Sequence, residues 1–149
     1  SSLNINYVCA LFLGVKMNYF EMLLKLTKKA YKKNEVPIAA LIVYNNKVIS
    51  KAYNKRHNQH DVLGHAEILA IKKATKKLKT WHLTGCDLYV TVEPCNMCKS
   101  VINEAKINEV YYFLKNNKIK HFKTKYSFVD TKNSYLFKKN IQSFFKNKR

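Results

Sequence analysis

The stretch Asp87-Leu88-Tyr89-Val90-Thr91-Val92-Glu93-Pro94-Cys95-Asn96-Met97-Cys98 changes character halfway. Its first half is a short run of apolar and β-branched residues, which predicts a buried strand over 87–92. Proline is favoured in the first turn of a helix, so the second half predicts a helix over 95–105. Cys95 and Cys98 are three apart and share one helical face. The first turn of a helix leaves N–H groups unpaired and carries a partial positive charge, which favours thiolates and lowers their pKa. A strand that delivers two such thiols at a helix start is a site for a metal or for redox chemistry.

Upstream, His65-Ala66-Glu67 decides between those two. A Cys-x-x-Cys pair alone reads as a thioredoxin-like redox motif, but a histidine with 29 residues between it and Cys95 makes the set His65, Cys95 and Cys98. Structural zinc sites are closed by four protein ligands, whereas catalytic ones keep three and an open position. Glu67 is not needed as a ligand, and a carboxylate beside an open position is what a zinc-bound water needs for proton transfer. His65 and Glu67 are two apart and do not share a helical face, so they must sit at the very start of a helix. The spacing reads as a hydrolytic Zn2+ enzyme.

Around this site the chain alternates. Residues 18–33 place Phe20, Leu23, Leu24, Thr27 and Tyr31 at helical spacing, with lysines opposite. Residues 38–44 are a continuous apolar run, Asn45-Asn46 tolerates positive φ, and a second strand follows over 47–52. Residues 54–63 read as a loop. A helix from Gly64 or His65 to about residue 78 should bury Ile68, Leu69 and Ile71 or Ala74, and 109–113 reads as a further strand. A short strand over 126–129 and a C-terminal helix over 136–146 complete the expectation. The fold class is α/β: a three-layer α/β/α sandwich with a mixed five-stranded sheet.

The chain has 149 residues, enough for one domain with a real core. We expect residues 1–16 to be an upstream or non-native extension, with a part of a targeting leader as the alternative, and 17–149 to be a single domain with a basic C-terminal helix. The apolar run 3–15 is shorter than the ~20 residues of a membrane helix. Four cysteines are too few for a disulfide framework in a chain with this much core, and Cys86 reads as buried packing. The formal charge is +19, from 28 basic and 9 acidic residues, which points to a polyanionic partner, nucleic acid ahead of membrane. Lysine supplies 26 of the 28 basic residues, and asparagine occurs 16 times, so A/T-rich coding is the alternative account of this composition.

The combination of His-x-Glu and Pro-Cys-x-x-Cys resembles the zinc-dependent deaminases of the cytidine deaminase superfamily, of which it is a known signature. Within that superfamily the chain is most similar to the bacterial tRNA-specific adenosine deaminases. Glu35-Val36-Pro37-Ile38, Asn45-Asn46-Lys47-Val48-Ile49, Asn54, His60-Asp61, His65-Ala66-Glu67-Ile68 and 88–98 follow their pattern, as does Phe144-Phe145 before basic residues. The resemblance covers 17–113 well and the remainder loosely. It implies hydrolytic deamination of adenosine to inosine at the wobble position of a tRNA anticodon.

Under the same resemblance His65, Cys95 and Cys98 hold zinc, which activates water for attack at C6, and Glu67 shuttles the proton. Asn54 and the Ala66 backbone N–H contact the base, and Val36 and Val92 line its pocket. Asn116, Lys118, Lys146, Lys148 and Arg149 are expected RNA contacts. Asn54 also reads as a turn residue at the end of a hairpin, and Val36 and Val92 as core alone. The implied partners are a tRNA anticodon loop and a second copy in a homodimer, with no membrane and a cytoplasmic location. The sequence departs from the pattern at Ala39, where glycine is usual, in 114–120, which lacks a glycine-containing loop, and in the shorter 120–140. Two rivals stand: a small-molecule cytosine, cytidine, dCMP or guanine deaminase, and a non-catalytic zinc-stabilised RNA-binding subunit.

Overall fold

The computed structural model describes residues 17–116, 125, 127–128 and 133–147. They form α1 (Met17–Lys32), β1 (Ala39–Tyr44), β2 (Lys47–Tyr53), α2 (Ala66–Leu78), β3 (Cys86–Val92), α3 (Asn96–Glu104), β4 (Glu109–Leu114) and α4 (Ser134–Lys146). The chain divides into two compact units, residues 1–117 and 118–149.

In the first unit the sheet order is β2-β1-β3-β4. β1 pairs antiparallel with β2 and with β3, and β3 pairs parallel with β4, so the sheet is mixed as expected. The hairpin turn is Asn45-Asn46 with φ of 50° and 63°, a conformation asparagine adopts more readily than most side chains. The sheet has four strands among the described residues, not five. At the expected fifth strand, Ser127 and Phe128 carry no strand conformation, and Tyr126 and Val129 lie outside the described residues. Phe128 is 89% exposed, so no buried apolar side chain fixes a register there.

Strand alternation divides the core in two. Ala40, Ile42, Leu88 and Val90 face one way and pack with Ile68, Ile71 and Ala74 of α2 and with Cys98 and Ile102 of α3. Ala39, Leu41, Val43 and Tyr89 face the other way, against Tyr19, Leu23 and Leu26 of α1. The result is the expected helix–sheet–helix sandwich. Burying each large aliphatic side chain contributes about 1.5–3 kcal/mol.

The buried stripe of α1 is Tyr19, Leu23, Leu26 and Ala30; of the expected positions Leu23 is buried and Phe20 and Thr27 are half-buried, while Leu24 and Tyr31 face solvent. Tyr31 is 74% exposed. The sheet sets the rotation: the Tyr19 ring lies 5.0 Å from that of Tyr89, and its hydroxyl donates to the Asn46 carbonyl. In the second unit, α4 is amphipathic and none of its side chains is buried. No helix of the described residues is long and apolar enough to cross a membrane.

Candidate metal centre

Two helix starts build the centre. His65 is the N-cap of α2, with extended backbone (φ −73°, ψ 140°), and Cys95 is the N-cap of α3 (φ −68°, ψ 170°). Each carbonyl accepts the first bond of its helix, from the Leu69 N–H at 3.0 Å and from the Lys99 N–H at 2.8 Å. An N-cap side chain ordinarily accepts a bond from its own helix. Neither of these does, so both are turned toward the gap between the helices. Cys98 lies in the first turn of α3 and is fully buried.

The three donors converge. His65 Nδ1 lies 3.8 Å from Cys95 Sγ and 3.6 Å from Cys98 Sγ, and all three donor atoms fall within 4.8 Å of one another. Zinc bonds of about 2.0 Å to nitrogen and 2.3 Å to sulfur, at tetrahedral angles, place such atoms about 3.6 Å apart. The donors therefore fit zinc as they stand. Of the histidines, cysteines, aspartates and glutamates among the described residues, only these three form such a cluster. His57, His60 and His82 are exposed and outside it.

Glu67 follows in the first turn of α2 and is buried, with Oε2 3.3 Å from Cys98 Sγ. Burial, then the Glu67 carboxylate and Cys95, push the Cys98 thiol up rather than down. Loss of solvation is the largest of these causes. A cation at the centre of the cluster supplies the opposite charge that a thiolate there needs.

The base-contact candidates come from three further places. Asn54 follows β2 and is buried, its N–H bonded to the Ile38 carbonyl at 3.0 Å. Ala66 opens α2, in the turn whose N–H groups have no intrahelical acceptor. Val92 ends β3 half-buried, while Val36 precedes β1 and is 51% exposed, which is not a core position. Asn116 follows β4, and its N–H donates to Glu93 Oε1 at 3.3 Å. Lys146 ends α4 and is exposed. Lys118, Lys148 and Arg149 lie outside the described residues.

Two acidic residues hold the loops around the site, and sequence reasoning took neither beyond a motif match. Glu35 is buried and accepts from the His57 N–H at 2.8 Å and the Asn58 N–H at 3.2 Å, which fixes the turn between Asn54 and His65. An acid directly after a helix end was the available signal. Glu93 bridges Lys99 of α3, at 2.9 Å, and Asn116. Gly64 is packed so closely that a Cβ there would lie 2.8 Å from the Arg56 Cα, which sets the approach to His65.

With this geometry in place, the chain can be compared with known proteins. The MafB19-like deaminase family matches residues 15–149. A tRNA-specific adenosine deaminase of Aquifex aeolicus is 42% identical over 97 residues, which is 65% of this chain and 64% of the relative. The protein of that description from Buchnera aphidicola is 33% identical over 142 residues, 88% of this chain and 94% of the relative. A solved structure from studies of A-to-I editing by tRNA:A34 deaminases superimposes with a TM-score of 0.67 at 38% identity, covering 69% of this chain and 75% of that one. The chain thus spans a little under two thirds of the Aquifex relative's length and nearly all of the Buchnera relative's.

Proposed function

Because the chain belongs to the MafB19-like deaminases, we propose that it is a zinc-dependent tRNA adenosine deaminase, converting adenosine to inosine at the wobble position of an anticodon. The observation that carries this reading is the cluster of His65, Cys95 and Cys98 with the buried Glu67 carboxylate 3.3 Å from one of its sulfurs. The names of the relatives support the substrate.

Zinc in such a site supplies water activated at neutral pH and polarised for attack. Glu67 takes the proton of that water, delivers it to N1 of the adenine as C6 becomes tetrahedral, and then carries the proton of the new C6 hydroxyl to the departing amino group as the C–N bond breaks. Adenosine and water thereby become inosine and ammonia. Burial of Glu67 keeps bulk water from competing for the proton. Asn54 and the Ala66 N–H orient the base edge, and Val36 and Val92 flank its faces. An anticodon base must leave its stack to enter such a pocket. Asn116, Lys118, Lys146, Lys148 and Arg149 then meet the surrounding RNA.

The same reading makes the protein a cytoplasmic homodimer. The exposed Val62 and Leu63, beside the ligand His65, are the apolar surface a second copy covers. Sedimentation equilibrium checks that part. The test of the activity is incubation with an anticodon stem-loop, followed by sequencing for inosine, beside free adenosine, cytidine and guanine, each at low and high salt. Turnover of a free nucleobase or nucleoside in preference to RNA, without salt dependence, would replace this reading with that of a small-molecule deaminase.

A further inference from the structure

Beside the loop that leads to His65 lies a small cleft of about 160 Å³, lined by Lys33, Glu35, Tyr53, Lys55, Asn58 and Gln59. Lys33 Nζ is 5.7 Å and Lys55 Nζ 5.1 Å from the centroid of the same Tyr53 ring. The one carboxylate in the lining, Glu35, is committed to the N–H groups of His57 and Asn58. Two ammonium groups therefore converge on one phenol with no free acid among the lining residues.

Hydrogen bonds to two backbone carbonyls tie the walls of the cleft together. Asn58 Nδ2 donates to the Lys33 carbonyl at 2.7 Å, which ties the end of α1 to the loop. The Lys55 N–H donates to the Gly64 carbonyl at 2.8 Å, one residue before the metal ligand His65. Tyr53 and Lys55 stand on either side of Asn54. A group bound here is thus in fixed register with both the base-edge candidate and the metal centre.

We propose that the cleft between Lys33, Tyr53 and Lys55 is a phosphodiester subsite, taking a backbone phosphate of the RNA next to the nucleoside whose base enters the metal centre. Gathered lysines repel one another, and an anion between them relieves that repulsion. A phosphate suits the lining because its oxygens accept from both ammonium groups and from the Tyr53 hydroxyl together. The electrostatics agree: a hydrogen bond from Lys33 outweighs the opposing effect of burial and, with the charges of Lys33, Lys55 and Lys29, holds the Tyr53 phenol below its ordinary value. The subsite deepens the RNA-deaminase reading and rests on it.

The experiment is RNA binding, not turnover, so the two can fail separately. The full-length protein is titrated with an anticodon stem-loop at several salt concentrations, beside K33Q, K55Q and the charge-retaining K33R and K55R. Each lost phosphate contact lowers the slope of log K against log salt by about 0.7 for single-stranded RNA. We expect that loss in both Gln variants, equally for loops of different sequence, and a slope near wild type in both Arg variants. A slope unchanged by K33Q and K55Q overturns the subsite, and so does an equal loss in K76Q, which alters only the exposed end of α2. Inosine formation by the wild type is scored separately and bears on the deaminase reading alone.

Discussion

Glu67 Oε2 and Cys98 Sγ approach to 3.3 Å, bringing a buried carboxylate from one helix start against a buried thiol from the other. The carboxylate is beside the donor set without belonging to it, which is the position of a proton carrier. In Glu67→Gln the side chain keeps its size and loses its basicity. Zinc content and the unfolding midpoint should stay at wild-type values, while inosine formation falls by about 10²- to 10⁴-fold. Turnover that persists in this variant would remove Glu67 from the mechanism.

His65→Ala leaves only the two thiols, fewer than the three protein ligands of a catalytic zinc site. Elemental analysis after dialysis should find far less zinc per chain than in the wild type, and deamination should disappear with it. Chelator-treated wild-type protein should regain activity on adding zinc. Full activity in metal-free protein would contradict the role given to the cluster.

Asn54 is a buried polar residue at the end of β2. If its side chain reads the base edge, Asn54→Ala loses about 1–3 kcal/mol in kcat/KM for the stem-loop, roughly 5- to 150-fold, with zinc retained. A turn residue alone would instead show its cost in the thermal midpoint.

Leu88 is fully buried in β3, paired with Ile42 of β1 and packed against the helices that carry the donors. Leu88→Ala should cost about 2–5 kcal/mol, read as a lower denaturant midpoint at unchanged slope.

Two tyrosines should separate in an ultraviolet pH titration. Tyr53 is lowered by its lysines, whereas a hydrogen bond to the Glu109 carboxylate, then burial, pushes Tyr111 up to about 12. The native state holds the Tyr111 proton more tightly than the unfolded chain does. That contribution is complete below about pH 10 and is lost as pH rises toward 12. For Tyr53 the sign reverses, so its contribution appears only at alkaline pH and is absent at neutrality. In Glu109→Gln the late Tyr111 transition should move down, and in Lys33→Gln the early Tyr53 transition should move up.

Much of this was legible before the structure because it is local. The Asn45-Asn46 turn, the proline before Cys95 and the two helix starts depend on neighbours in sequence, and their elements begin and end within two residues of expectation. The stripe on α1 was right at Leu23 and wrong at Leu24 and Tyr31, because Tyr19 and Ala30 are weak apolar signals and only contact with Tyr89 reveals which face is inward. The fifth strand rested on the apolar letters of 126–129, of which the described Phe128 is exposed. The Glu35 clamp and the Lys33–Tyr53–Lys55 cleft join residues about twenty positions apart, which no local pattern displays. The burial of Cys98, which raises its thiol, was likewise invisible to a reading based on the helix start alone.

His65 and Cys95 each stand at a boundary: the carbonyl is tied to the helix that follows and the side chain is not. The reach of any ion held there would therefore be set by the spacing of two helix tips.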